Sequence, residues 1–303
     1  ERSFSLVEPY VKALIAEIRA GGEMVQKNHL RPRTFYMGGG TPTTLTAAQM
    51  DAVLTALEES FDLSACPEIT VEIGRPDTIT AEKLAVLKSH GVTRVCVNPQ
   101  TMEDHVLAAI GRRHASADTV RAMELVRAYH FQDVNMDLIA GLPADTPEGF
   151  RRSLDKCLEL GADDITIHTL ALKKGSRILT EGLSIPDGAA VQAMLDYAAP
   201  TLRAAGFVPY YLYRQKYMSG SFENVGWCRP GGECWYNVDI MSELCSILSF
   251  GAGGSTKMVE PGTNHIERVF NVKYPKEYTE RPEKIQQNQA AFAEFYQKYV
   301  PET

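Results

Sequence analysis

The sequence contains no apolar run long enough to cross a bilayer as a helix, which needs roughly 20 consecutive apolar residues. It also lacks a basic excess: 31 Lys and Arg stand against 38 Asp and Glu, for a net charge of -7. That balance argues against general binding to nucleic acid or to an anionic membrane, so neither is expected as a partner. Closely spaced cysteines are missing as well. The six (Cys66, Cys96, Cys157, Cys228, Cys234, Cys245) are scattered, with no CxxC pair and no even framework. Such usage fits a reducing compartment, and the opening residues do not form a secretory leader, so a cytoplasmic location is expected. No low-complexity tract or linker interrupts the chain, and hairpin signals are absent from its first two thirds.

What is present is organised around TFYMGGGTPTTL at 34–45. A short apolar run meets three glycines, and Thr41, Pro42 and Thr43 lead into a helical pattern. Strand, glycine turn, helix is the order in which an α/β protein builds a ligand pocket. Glycines at a strand's carboxyl end allow positive φ and close approach of another molecule to the backbone. One glycine would suffice for a tight turn, so Gly38, Gly39 and Gly40 together favour a backbone-lined site. The run is neither a Walker loop, since no Lys-Ser/Thr follows, nor the spaced dinucleotide-binding glycines. Thr43 or Thr46 is placed to cap the next helix.

Hydrophobic residues make up 44% of the 303, enough for one large α/β domain with or without an appendage. Val7, Val11, Leu14, Ile15 and Ile18 recur at helical spacing, and Gly21-Gly22 is expected to end that helix. Strands are expected at 34–37, 68–73, 93–97, 133–140 and 164–168, each followed by a helical pattern. Thr146-Pro147 forms a helix start. Five strand–helix units without hairpins predict a parallel sheet with right-handed crossovers, adjacent in chain order. Glu72, Asp137 and His168 are polar residues within these strands and need a cavity to face. A curved, partly open barrel with a polar lumen accounts for them better than a flat doubly wound sheet. Beyond Gly206 alternating aromatics (FVPYYLY at 207–213) and a Gly-, Trp- and Cys-rich stretch read as antiparallel strands. The expected organisation is a barrel core at 1–206, an antiparallel extension at 207–275 and a C-terminal helix at 276–303.

Active sites of barrels collect at the carboxyl ends of strands. Those ends carry Gly38 to Thr41, Glu72, Gln100, Asp137 and the run from His168 to Ala171, with Arg112 and Arg113 after Gln100. Each alone has an ordinary explanation: a structural salt bridge, a loop hydrogen bond, a solvated charge. Their recurrence at strand ends points to a polar small molecule bearing an amine or hydroxyls for the acids and a carboxylate for an arginine.

GGGTPT at 38–43, VEIGRP at 71–76, VNPQ at 97–100 with Arg112, and NMDLIAGLP at 135–143 resemble the radical S-adenosyl-L-methionine (SAM) enzymes. Within them the chain is similar to the oxygen-independent coproporphyrinogen III oxidase family. The segment 234–257 and YYLYRQK at 210–216 resemble its coproporphyrinogen dehydrogenase (HemZ-like) branch. The resemblance covers about 30–260. It implies an α/β fold, a partial (β/α)6 TIM-like barrel holding SAM and a 4Fe-4S iron–sulfur cluster. By the same resemblance Gly38, Gly39, Gly40 and Thr41 line the methionine end of SAM and Glu72 contacts it. Gln100, Arg112 and Asp137 hold polar groups of SAM or of a second SAM. Ala171 and the segment around Ser255 contact adenosine. The family's cluster motif, CxxxCxxC, is absent, so no metal ligand is assigned and no catalytic residue is named. The first strand and the cluster loop are expected to precede Glu1, and the chain alone is expected to be inactive.

The implied reaction is hydrogen abstraction from a propionate of a tetrapyrrole substrate, then loss of CO₂ and one electron to leave a vinyl group, in haem or porphyrin biosynthesis with an electron donor protein as partner. Lys173, Lys174, Arg214 and Lys216 are candidates for the anionic substrate, or are simply solvated. Two other readings stay open: a haem-binding chaperone of the same subgroup, with His168 as a candidate ligand, and a non-radical α/β domain that binds a nucleoside.

Overall fold

The structure, a computed structural model, describes residues 4–172, 177–214 and 222–300. In chain order its elements are α1 (Val7–Lys27), β1 (Thr34–Met37), α2 (Ala47–Ser60), β2 (Glu68–Gly74), α3 (Ala81–Ser89), β3 (Arg94–Gln100), α4 (Asp104–Ala109), α5 (Ser116–Ala128), β4 (Asp133–Ala140), α6 (Pro147–Glu159) and β5 (Asp164–Thr169). They continue as α7 (Arg177–Thr180), α8 (Gly188–Ala204), β6 (Val208–Tyr213), β7 (Asn224–Cys228), α9 (Trp235–Met241), β8 (Ser255–Val259), β9 (Ile266–Phe270), α10 (Pro275–Glu280) and α11 (Pro282–Tyr299).

Local chemistry sets several boundaries. Thr46, not Thr43, caps α2: its hydroxyl accepts from the Gln49 amide at 3.2 Å, and the Gln49 side chain accepts from the Thr46 amide at 3.0 Å. Thr43 is buried and donates to the Ile73 carbonyl at 2.7 Å, tying the loop after the glycines to β2. Thr146 caps α6, with Pro147 in the first turn. One expectation fails. Gly21 and Gly22 do not end α1, which runs to Lys27. A Cβ on Gly22 would stand 2.5 Å from the Ser60 carbonyl, and one on Gly21 would stand 2.6 Å from the Phe250 ring. Both glycines serve close packing inside the helix, so the breaker signal is overridden by tertiary contact.

A seven-stranded sheet runs in the order β1-β2-β3-β4-β5-β7-β6. β2 to β5 pair in parallel, and β7 lies antiparallel between β5 and β6. The sheet is a curled half-barrel, as the polar positions in the strands require, and the expected antiparallel strands beyond Gly206 extend it. Its two faces differ in kind. Val71, Ile73, Val95, Val97, Met136, Leu138, Ile165 and Ile167 are almost wholly buried on the face covered by α5, α6 and α8. The alternate positions carry Glu72, Cys96, Asn135, Asp137, Asp164, Thr166 and His168, all turned into the curl. The register aligns Glu72 with Cys96, Cys96 with Asn135, and Asn135 with Asp164, so one row of polar side chains crosses four strands.

The chain divides into two compact bodies. The larger, 36–44 and 68–241, holds most of this sheet. The other, 1–35, 45–67 and 242–303, packs α1 on α2, α10 and α11 and contains the β8–β9 ribbon. Met258, Phe292 and Phe295 form one of its cores. Among the described residues no helix is long and apolar enough to cross a membrane.

Candidate functional site

The inner face of the curl encloses a cavity of about 190 Å³. Its lining comes wholly from the larger body, in two tiers. The tier nearer the carboxyl ends of the strands contains Tyr36, Glu72, Asp137, His168 and Tyr213. The deeper tier contains Arg94, Asp164 and Cys234, with Cys96, Asn135 and Thr166 between.

In the upper tier the Tyr36 hydroxyl donates to Glu72 Oε1, and the Gly39 amide donates to the same carboxylate. Burial pushes the Glu72 carboxyl above its usual range and Asp137 adds to that, while the bonds from Tyr36 and Gly39 hold it down. Asp137 Oδ1 accepts from Asn135 Nδ2 at 2.8 Å, and its other oxygen lies 3.8 Å from His168 Nε2. The Tyr213 hydroxyl is 3.2 Å from His168 Nδ1. Thr166 donates to Asn135 Oδ1 at 3.2 Å, so the wall is one hydrogen-bonded network from β4 to β6.

The deeper tier is a buried ion cluster. Arg94, 2% exposed, donates to Asp164 at 2.9 Å and to the Gly232 carbonyl at 2.5 Å, with Asp133 at 3.5 Å and Glu68 at 3.9 Å. Burial drives the Asp164 carboxyl up to about 7 against the pull of Arg94 and of the Tyr210 hydroxyl, which donates at 2.9 Å. Arg94 Nε is buried without a hydrogen-bond partner among the described residues, with the Glu68 carboxylate 3.9 Å away. The thiols nearby are protonated: burial raises Cys96 and Cys234, and puts Cys157 and Cys228 at about 12.

The glycine turn lies against the upper tier. A Cβ on Gly38 would stand 2.7 Å from the Tyr36 ring and 2.9 Å from the Glu72 carboxyl. Gly39 has φ +101°, and neither it nor Gly40 has anything within 4 Å of where a Cβ would stand. Thr41 packs on Gly74, whose Cβ would be 2.7 Å from the threonine methyl. The residues singled out from sequence therefore separate. Glu72 and Asp137 line the cavity with His168, and Gly38 and Gly39 meet it through Glu72, while Gly40, Thr41, Gln100, Arg112 and Ala171 are not in its lining. Gln100 ends β3 with φ +71°. Arg112 is half-buried beside Arg75 and Asp77, and burial and the Arg75 charge pull its guanidinium below the usual value. Arg113 is exposed. Ala171 is half-buried just after β5, and Ser255 opens β8 in the other body with its side chain exposed. Lys173, Lys174 and Lys216 lie outside the described residues. Arg214 is exposed and paired with Glu223 at 2.9 Å.

Sequence reasoning missed Tyr36, Tyr211, Tyr213, Arg94 and Asp164. Alternation in DITIHT was the available signal for Asp164; Tyr36 stood in a short apolar run and Tyr211 and Tyr213 in alternating aromatics, patterns that mark strands but not a site. As a fit test, the open backbone at Gly39 and Gly40 beside two carboxylates suits SAM, with its ammonium and hydroxyl donors. An iron–sulfur cluster does not fit: among the described residues no three Cys, His, Asp or Glu side chains are grouped to hold a metal.

The profile of the radical SAM superfamily matches residues 10–157. The chain is 40% identical over 278 residues to the oxygen-independent coproporphyrinogen-III oxidase-like protein HemZ of Bacillus subtilis, covering 91% of this chain and 56% of that protein. It is 30% identical over 254 residues to the heme chaperone HemW of Mycobacterium tuberculosis, covering 82% of this chain and 59% of that one. The chain thus spans somewhat over half the length of these relatives. Among solved structures, the coproporphyrinogen III oxidase HemN of Escherichia coli, a radical SAM enzyme, shares the fold with a TM-score of 0.71 at 20% identity, over 95% of this chain and 65% of that one. With its half-barrel, its glycine turn and these matches, the chain belongs to the radical SAM superfamily, in the oxygen-independent coproporphyrinogen-III oxidase-like family and its HemZ-like branch.

Proposed function

We propose that this chain is the SAM-binding barrel of a protein that oxidatively decarboxylates tetrapyrrole propionates to vinyl groups, in the manner of an oxygen-independent coproporphyrinogen III oxidase. The observation that carries the reading is the glycine turn laid against Glu72, whose carboxyl shares a polar cavity with Asp137. SAM held at this turn would supply the hydrogen-abstracting chemistry of the superfamily.

The chain's own residues bind and orient. The open backbone of Gly39 and Gly40 admits the methionine end of SAM, with Gly38 and Thr41 shaping the turn. Glu72 and Asp137 accept hydrogen bonds from ammonium or ribose hydroxyls, and Arg112 pairs with a carboxylate. Gln100 and Ala171 are the remaining proposed SAM contacts within the larger body. A cavity of about 190 Å³ is too small for a macrocycle and acidic in character, so the tetrapyrrole stays at the mouth, with its propionates outside the acidic wall. An electron donor protein completes the proposed partners.

The HemW relative supports a second reading, a haem carrier. His168 suits that role poorly, because one ring nitrogen faces Tyr213 and the other faces Asp137. Calorimetric titration with SAM tests the first reading. Arg112→Ala is expected to weaken SAM binding by ~1.5–3 kcal/mol, the worth of a charged hydrogen bond, and the exposed Arg113→Ala to change it little. Equal losses at the two positions, or unchanged SAM affinity in Arg112→Ala, would mean that the role given to Arg112 is wrong, whereas no SAM binding together with tight stoichiometric haem binding would replace the first reading with the carrier reading.

A further inference from the structure

We propose that Tyr36 and Tyr236 are positioning residues for Glu72: Tyr236 fixes the Tyr36 ring, and Tyr36 fixes the carboxylate against the glycine turn. Only the consequence for SAM rests on the functional reading above; the relay itself is geometric.

It begins at Glu68, buried at the first position of β2. Its carboxylate accepts the Trp235 amide at 2.7 Å, the Tyr236 amide at 3.3 Å and the Cys234 thiol at 3.2 Å. Amides in a first helical turn have no partner within the helix, so Glu68 pins the start of α9 across a separation of more than 160 residues. Arg94 lies 3.9 Å from the same carboxylate. Pinned there, Tyr236 stacks on Tyr36 with ring centroids 4.2 Å apart and planes at 16°. The Tyr36 hydroxyl then donates to Glu72, which also accepts the Gly39 amide. The turn passes so close to both that only glycine fits at 38.

With its ring stacked on Tyr236, the Tyr36 hydroxyl is aimed at Glu72. Burial raises its phenol well above the usual value, so it stays a donor at working pH. The titratable groups facing Glu72 are Tyr36 from β1, Cys96 from β3, Asp137 from β4, His168 from β5 and Tyr236 from α9. Of these, Tyr36 alone donates a hydrogen bond that holds the carboxyl down.

The test compares Tyr36→Phe, Tyr236→Phe and Tyr236→Leu with the unaltered chain. Amide hydrogen exchange over 38–41 is read without ligand, and SAM affinity is read between about pH 5 and pH 8. Tyr36→Phe is expected to speed exchange at Gly39 and to weaken SAM about tenfold. It should also move the acid-side loss of affinity to higher pH, because Glu72 loses the donor that keeps it ionised. Tyr236→Phe keeps the stack and should match the unaltered chain throughout, whereas Tyr236→Leu should follow Tyr36→Phe. Unchanged exchange and an unchanged pH profile in Tyr36→Phe overturn the proposal. That isosteric variant decides the matter alone if Tyr236→Leu does not fold. Altered exchange in a chain that binds no SAM would uphold the relay and discard the functional reading instead.

Discussion

Gly38 and Gly40 sit two positions apart and are glycine for different reasons. At Gly38 a methyl group would collide with the Tyr36 ring and the Glu72 carboxyl, so Gly38→Ala must displace both. At Gly40 the space is open and φ is not left-handed, so nothing in the fold itself requires glycine. Gly38→Ala is therefore expected to lower both thermal stability and SAM affinity. Gly40→Ala should leave stability within about 0.5 kcal/mol yet weaken SAM, because the methyl fills space meant for a ligand. Differential scanning calorimetry paired with SAM titration checks both, and unimpaired SAM binding by Gly40→Ala would count against a backbone-lined site. Glu72 and Asp137 were legible because a charge inside an apolar strand needs a polar cavity or a partner. Tyr36, Tyr213 and Tyr236 were not, since an aromatic in an apolar run looks the same whether it packs a core or aims a hydroxyl.

At the scale of elements, α6 begins beside a carboxylate that burial works against. Asp145 is 7% exposed; Oδ1 accepts the Thr146 amide at 2.8 Å, while Oδ2 is buried without a hydrogen-bond partner among the described residues. Burial pushes the Asp145 carboxyl up to about 6, with Glu103 adding to the rise and the Thr146 amide opposing it. In the unfolded chain it titrates near 4, so between about pH 4 and pH 6 the folded form holds the extra proton. Stability from this group is present below that window and lost as pH rises through it. Asp145→Asn can still accept from the Thr146 amide and carries no such loss. Its melting temperature relative to the unaltered chain should rise from pH 4.5 to pH 7, by the equivalent of at most about 3 kcal/mol. A difference that stays flat with pH would show that the carboxyl titrates normally. The paired glycines of α1 make the opposite point about elements: read alone they terminate a helix, whereas packing against Ser60 and Phe250 makes them part of it.

At the scale of the molecule, each body is held by a buried ionisable group with partners remote in sequence. In the smaller one Glu17, 4% exposed on α1, accepts the Gly251 amide at 2.7 Å, Asn271 Nδ2 at 2.6 Å and the Tyr278 hydroxyl. The Gln289 side chain donates to its carbonyl at 3.0 Å. Burial raises the Glu17 carboxyl and these donors hold it back. Glu17→Ala strands three buried donors and should cost about 3 kcal/mol or more in urea unfolding, with Glu17→Gln costing less because it retains one acceptor. A loss below about 1 kcal/mol would mean that the donors find other partners. In the larger body the corresponding group is Arg94, ringed by carboxylates from β2, β4 and β5.

The sequence by itself determined the strand order of the parallel segment, the curl of the sheet and the place of the glycine turn. These follow from local period, from turn chemistry and from the need of polar strand positions for a cavity, all of which act over a few residues. Only the tertiary structure decided which side chains meet. The pairing of Glu68 with α9 and the stack of Tyr236 on Tyr36 depend on segments more than a hundred residues apart. No local pattern encodes such contacts. They are fixed by sheet register and by the cost of burying donors and charges without partners, terms that act only once the chain has closed.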